Sequence, residues 1–329
     1  MPTSPSAAAE PPARSGPPPA RALAAVLVLV PVLVATALWA FAWPTARTAP
    51  NDLPIGLAGP EQATAPLAER LGEHDGAFDI EFYESREQAA AALEDREIYA
   101  ALVPGPQPEL LTASAGGPAV AQMLQESLAA QLPEGTEPAV TDVVPAPAAD
   151  PRGGAFSASV LPIAIAGIAT GAMVTALGLR GGRAAAALFG ATALAGMAGA
   201  AMLHSWLGVL DGNWWAAAGV LMLGALAVAA TVSGLAALLG PPGIGVAALV
   251  VVFLGNPFSG AAAAPEMLPD PVGLLGRLLP PGATAASLRS VAFFDGSAAG
   301  FPLTVLACWA AAGLALLLLG GRHGRGARG

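Results

Sequence analysis

From residue 22 to residue 43 the chain carries no charged side chain over about the length a helix needs to cross a bilayer. The same pattern returns at about 156–178, 184–204, 215–239, 244–254 and 301–319. Nothing else constrains the fold as strongly. Inside hydrocarbon a segment must satisfy its own backbone N–H and C=O groups, so each run has to be helical. The fifth run is about half the length of a full crossing. It either recruits the flanking Gly-Pro-Pro-Gly at 240–243 and Gly-Asn-Pro at 255–257 or remains a partial span. Over half of the 329 residues are apolar and only 11% are charged, which agrees with a membrane protein.

The net charge of −9 excludes the basic footprint of a nucleic-acid binder. All fourteen basic residues are Arg. Without Lys the chain is not a P-loop nucleotidase and forms no Schiff base. The wealth of Ala, Gly, Pro and Arg suits a high-GC bacterial genome. A single cysteine, Cys308, excludes an intramolecular disulfide and a Cys-based metal site.

Residues 1–21 are rich in Pro, Ala and Ser and read as a disordered tail. In the first span Ala40-Phe41-Ala42 resembles a signal-peptide cleavage site. The length of the apolar run, with Trp39 and Trp43 as interface anchors, favours an uncleaved helix over 22–43. Residues 44–155 then change character, with eighteen acids against five Arg, a balance of −13. Their pattern is that of a small α/β domain. A strand at 53–57 is confined by Pro54 to an edge or a strand start. Pro60 opens a helix that Gly72 stops. Phe78, Ile80 and Phe82 alternate with Asp79, Glu81 and Tyr83 as a half-buried strand. Ser85 and Gln88 form a capping box for an Ala-rich helix reaching about Asp95. IYAALVPG is a buried strand, and Val120, Met123, Leu124, Leu128 and Leu132 share one face of a further helix. AVTDVV is a last strand.

Arginine sets the expected orientation. With a cytoplasmic N-terminus, six crossings place Arg14, Arg21, Arg180, Arg183, Arg322, Arg325 and Arg328 inside, including the 321–329 tail. The acidic domain, Asp211, Glu266, Asp270 and Asp295 then lie outside, with Arg277 and Arg289 as exceptions to the bias. No HExxH, GxSxG or paired-Cys motif occurs, and His74, His204 and His323 are scattered. No catalytic, cofactor or metal site is expected, and the chain is not read as an enzyme. No span carries an ionisable residue in its core, so the group that gradient-driven carriers need is missing. Energy for any transport has to come from another subunit. Gly167 and Gly171 form a GxxxG pair suited to close helix packing.

Three stretches resemble a known family. They are SREQAAAALEDREIYAALVPG, DVVPAPAADPRGGAFSASVLPIAIAGIATG, and GNPFSGAAAAPEMLPDPVGLLGRLLPPGATAASLRSVAFFDG. With one span, an outer domain and then five spans over 156–320, the layout is similar to the phage-infection (YhgE/Pip) proteins and their relatives among type-2 ABC exporter permeases. The resemblance implies that 255–300 is a re-entrant pair of short helices at the outer face, with Asn256, Pro257, Phe258, Ser259, Gly260, Glu266 and Pro269 in it. The alternative is an amphipathic outer loop lying on the bilayer surface. The resemblance also implies a bacterial plasma-membrane permease subunit, oligomeric with itself or with other chains. Such a subunit exports an amphipathic or envelope molecule with a separate ABC ATPase, which Arg180 and Arg183 would meet. The short inner loops LRGGR and GPPG depart from that family's pattern. The rival expectation is a non-transporting scaffold or receptor whose acidic outer domain binds a partner or phage.

Overall fold

The computed structural model describes residues 19–73, 76–131 and 138–326. Most of the expected tail (residues 1–18), His74, Leu132 and residues 327–329 lie outside them. Helix α1 (Pro19–Ala46) leads into an α/β domain. This comprises β1 (Leu53–Ala58), α2 (Glu61–Gly72), β2 (Phe78–Tyr83), α3 (Arg86–Glu94), β3 (Ala100–Val103), β4 (Glu109–Thr112), α4 (Pro118–Ala129) and β5 (Ala139–Asp142). The rest is helical: α5 (Gly154–Ala176), α6 (Gly181–Ala200), α7 (Trp214–Leu239), α8 (Pro241–Leu249), α9 (Val272–Leu278), α10 (Pro280–Phe293) and α11 (Gly300–Gly326). Five helices are long and apolar enough to cross a membrane: Val26–Ala46, Gly154–Ala176, Gly181–Trp206, Trp214–Leu239 and Gly300–Gly320. The chain is a multi-pass helical membrane protein with one small sheet.

The short fifth run becomes α8 extended by a π-helical turn, Val250–Gly255. Together, Pro241–Gly255 forms one short apolar helix. At 1.5 Å per residue it spans about 22 Å, less than the hydrocarbon thickness of about 30 Å.

The sheet runs in the order β2-β1-β3-β4-β5. All neighbours are parallel except the β3–β4 hairpin, where Val103 faces Glu109. β1 is therefore an interior strand, not an edge. Pro54 is tolerated because it sits at the strand start and acts there only as an acceptor, its carbonyl taking the Tyr99 N–H at 3.0 Å. Alternation along β2 fails at its end, because β2 is an edge strand and Phe82 is left exposed. Strand β4 was not expected from the pattern. Ser85 Oγ accepts from the Gln88 N–H, while the Gln88 side chain reaches the Glu84 N–H, one residue before the box position.

Two apolar clusters cover the two faces of the sheet. On one side Leu53, Ile55, Leu57, Leu102 and Leu110 meet Leu67 and Leu71 of α2 and Val120, Leu124 and Leu128 of α4. On the other, Ala58, Ala101 and Leu111 meet Ala89, Ala92 and Leu93 of α3. Each cluster is completed from far along the chain, by Ala264 and Met267 on the first side and Phe294 on the second. The segment before α11 thus grips the end of the sheet from both faces.

In the helical part α7 is central and packs against α5, α6, α8, α10 and α11. Contact is close because small residues line it. A Cβ added at Gly167 or Gly171 would lie 2.7 or 2.6 Å from the Ala225 or Ala229 carbonyl oxygen of α7. The expected glycine pair thus faces α7, and Ser233 Oγ donates across the same contact to the Gly171 carbonyl at 3.2 Å.

Candidate functional site

Between the π-helical turn after α8 and the start of α11, the chain folds into short pieces. Asn256 and Pro257 turn it, and Phe258 is buried against Leu268 and Val272, with Trp43 and Leu254 alongside. Ser259 Oγ donates back to the Asn256 carbonyl at 2.7 Å, and Gly260 follows with φ +64°. Pro269 accepts the Val272 N–H at the start of α9. Helix α9 is held on α11 by Trp309, whose indole N–H donates to the Leu278 carbonyl at 2.8 Å. Helix α10 is almost wholly buried and packs against α5, α7 and α11. Helix α10 thus sits within the bundle, while α9, with Leu274, Leu275 and Leu278 exposed, lies at its edge.

Its other face meets the α/β domain. The Ala49 and Asn51 N–H groups donate to the Met267 and Glu266 carbonyls at 3.1 and 2.9 Å. Here the two parts of the molecule enclose a half-open cavity of about 480 Å³. Arg96 and Tyr99 come from the α/β domain, Glu266 and Arg277 from the segment before and within α9, and Arg289 from α10. Ser259 and Phe301 also line it. Of the seven residues expected in the re-entrant segment, Ser259 and Glu266 reach the cavity.

The charges are unbalanced. Glu266 accepts from Tyr99 Oη at 2.9 Å and pairs with Arg277 at 3.5 Å. Arg96 and Arg289 have no carboxylate within ion-pair distance among the described residues. Arg96 donates to the Ala286 carbonyl and to Ser290 Oγ, and Arg289 donates to the Ala261 carbonyl at 2.9 Å. Each guanidinium also lies over a ring, Arg96 at 5.3 Å from Phe294 and Arg289 at 4.8 Å from Phe156. Such contacts contribute about 0.5–2 kcal/mol each, well short of the several kcal/mol needed to bury an ion. Burial pushes the Arg96 guanidinium below its usual range. Burial and the neighbouring Glu266 carboxylate raise the Tyr99 hydroxyl, which stays a neutral donor.

Arg96 is also held in an unusual backbone state, with φ +60° directly after α3. The Arg96 N–H bonds to the Leu93 carbonyl and the Glu97 N–H to the Ala92 carbonyl. That is a Schellman ending, whose left-handed residue is usually Gly. Holding a long side chain there costs on the order of 1 kcal/mol, and such strain gathers at functional positions.

Sequence reading missed Arg96, Tyr99 and Arg289 as a group. Its one signal was that Arg277 and Arg289 broke the arginine bias. Arg180 and Arg183 lie together at the α5–α6 turn, both exposed. His204 turns to the Gly212 carbonyl at 3.2 Å, away from the cavity lining. Comparison with protein-family models, with curated proteins and with solved structures gave no match.

Proposed function

We propose that this chain is a permease-like subunit of the type-2 ABC-exporter class in a bacterial plasma membrane. It works as an oligomer and moves an amphipathic or envelope-related molecule with energy from a separate ATPase. In this reading both termini are cytoplasmic, residues 44–155 are outside, and Pro241–Gly255 serves as the fifth of six crossings. The observation that supports it is the buried helix α10 with the short α9 beside it, meeting the α/β domain around a half-open cavity. Non-helical backbone between membrane helices is tolerated where protein or a cavity surrounds it. Motion of such a pair would reach the outer domain directly.

A second reading is a scaffold or receptor that transports nothing. It is favoured by the inner side, where α5 and α6 are joined through 177–180 and α7 and α8 through Gly240 alone, leaving little surface for a power stroke. Arg180 and Arg183 separate the two. Their side chains are exposed, and guanidinium forks suit carboxylates on a partner. A double Lys variant keeps the charge that holds the loop inside. In the exporter reading it inserts normally yet binds its ATPase several-fold more weakly. Insertion is checked with an impermeant thiol reagent at Gln107→Cys outside and Gly182→Cys inside, in a Cys308→Ala background. Affinity is read by co-purifying a Walker-A ATPase with the tagged chain. Unchanged affinity reduces the pair to a topology signal, and recovery of no ATPase moves the function to the scaffold.

A further inference from the structure

We propose that the cavity between the α/β domain and the α9–α10 pair binds a phosphate-bearing anion. Its lining carries three guanidiniums, on Arg96, Arg277 and Arg289, against one carboxylate, on Glu266. Arg289 is buried and Arg96 part-buried, and both meet only neutral acceptors and aromatic rings. A buried ion is stable when its charge is matched, and among the described residues neither has a carboxylate within ion-pair distance. The planar fork of arginine fits the tetrahedral oxygens of phosphate two at a time. Tyr99 is already committed to Glu266, which keeps that carboxylate on the Arg277 side of the cluster.

Size and mouth point to more than an inorganic ion. A volume of about 480 Å³ lies in the range of sites for small organic molecules. Phe301, at the start of α11, lines the opening and is half exposed. Leu274 and Leu278, on the same short helix as Arg277, are exposed as well. A ligand with its phosphate at the arginines would therefore meet apolar surface on leaving the cavity. The headgroup of an anionic membrane lipid has that form, and a soluble phosphate ester shares its anionic half.

The backbone at Arg96 supports a binding role over a structural one. Glycine would satisfy the turn after α3 with less strain, so the arginine is kept there against the local preference. Arg96→Gly therefore separates binding from folding, because it relieves the strain and removes a part-buried, unpaired charge.

The purified full chain in detergent is titrated with short-chain phosphatidylglycerol, with phosphatidylcholine of the same chain length, and with inorganic phosphate against sodium chloride of equal ionic strength. Unfolding temperature is the readout, since a ligand of the folded state stabilises it by RT ln(1 + [L]/Kd). Phosphatidylglycerol is expected to raise it and phosphatidylcholine to leave it nearly unchanged. A rise with inorganic phosphate as well would show that soluble phosphates enter, and a rise with the lipid alone would assign the site to a headgroup. Arg96→Gly should fold at least as well as the native chain while weakening the lipid at least about tenfold. Glu266→Gln, which adds to the positive balance, should tighten it. Equal shifts with both lipids, no shift with any phosphate, or unchanged affinity in both variants would overturn the proposal. Binding is read without any ATPase, so its failure leaves the exporter reading untouched, and the reverse holds too.

Discussion

Helices α1 and α7 are nearly equal in hydropathy, yet 6% of the apolar stretch of one and 78% of the other is buried inside the molecule. Hydropathy alone predicts the same fate for both. The difference lies in side-chain size. Helix α1 bristles with Leu23, Val26, Leu27, Val28, Leu29 and Val30, all exposed. Helix α7 presents Ala217, Gly224, Ala225, Ala229, Ser233 and Gly234 to its neighbours. In hydrocarbon, branched side chains gain nothing by leaving lipid for protein, while small ones let backbones approach and gain dispersion contacts. Helix α7 buries Leu221, Leu226, Val228 and Val232 as well, but Val228 and Val232 sit against Gly167 and Gly171 of α5, so close central packing rests on small residues at facing positions.

The comparison breaks most sharply at the α5–α7 contact. Gly171→Leu puts a branched side chain where even a Cβ lies 2.6 Å from a carbonyl oxygen. It is expected to cost about 3 kcal/mol or more and to abolish a cooperative melt in detergent. Leu29→Ala on α1 is expected to leave the melting temperature unchanged. A similar loss in both would show that α1 is packed as tightly as α7. A middle-sized effect is expected where α1 is anchored. Trp39 stacks with Trp43 at 5.8 Å and lies edge-on to Phe258 at 6.3 Å. Phe258→Ala should lower the melting temperature less than Gly171→Leu does, and speed amide exchange over residues 36–46 without touching α7. Unchanged exchange there would mean that other contacts hold α1.

The smallest effect serves as a control far from both helices. Arg86 donates two hydrogen bonds to Glu109, at 2.7 and 2.8 Å, on the part-exposed flank of the sheet. The Arg86 hydrogen bond holds the Glu109 carboxyl below its usual range. A depressed carboxylate stabilises the fold above the unfolded pKa of about 4.3, and that contribution is lost as pH falls through the lower folded value. Glu109→Gln should flatten this acid limb and shift the melting temperature by no more than about 2 °C at neutral pH. An unaltered acid limb would assign it to other carboxylates.

The spans were legible because a charge-free run of that length has one physical meaning. Ser85 and Gln88, the turn glycines and the buried strand at 100–103 were legible too, since each signal lies within a few residues. Strand β4 was not. Glu109-Leu110-Leu111-Thr112 is too short to show a period and follows Pro106 and Pro108. The cavity was not legible either. Arg96 meets Ser290 across a separation of 194 residues and Tyr99 meets Glu266 across 167. No local pattern encodes such a meeting. Only the misplaced sign of Arg277 and Arg289 hinted at it.

The two faces of the sheet are sealed by Ala264, Met267 and Phe294. This gives the α/β domain an unusual calendar. Its strands end at Asp142, so it leaves the ribosome early and is completed only by residues made much later. At about 5–20 residues per second, the roughly 150 residues to Phe294 take about 8–30 seconds to arrive. The first cluster stands open at one end until Ala264 and Met267 arrive, and the second until Phe294. A chain that stops short of its final third keeps them open for good, and carries on its surface the sign that it was never completed.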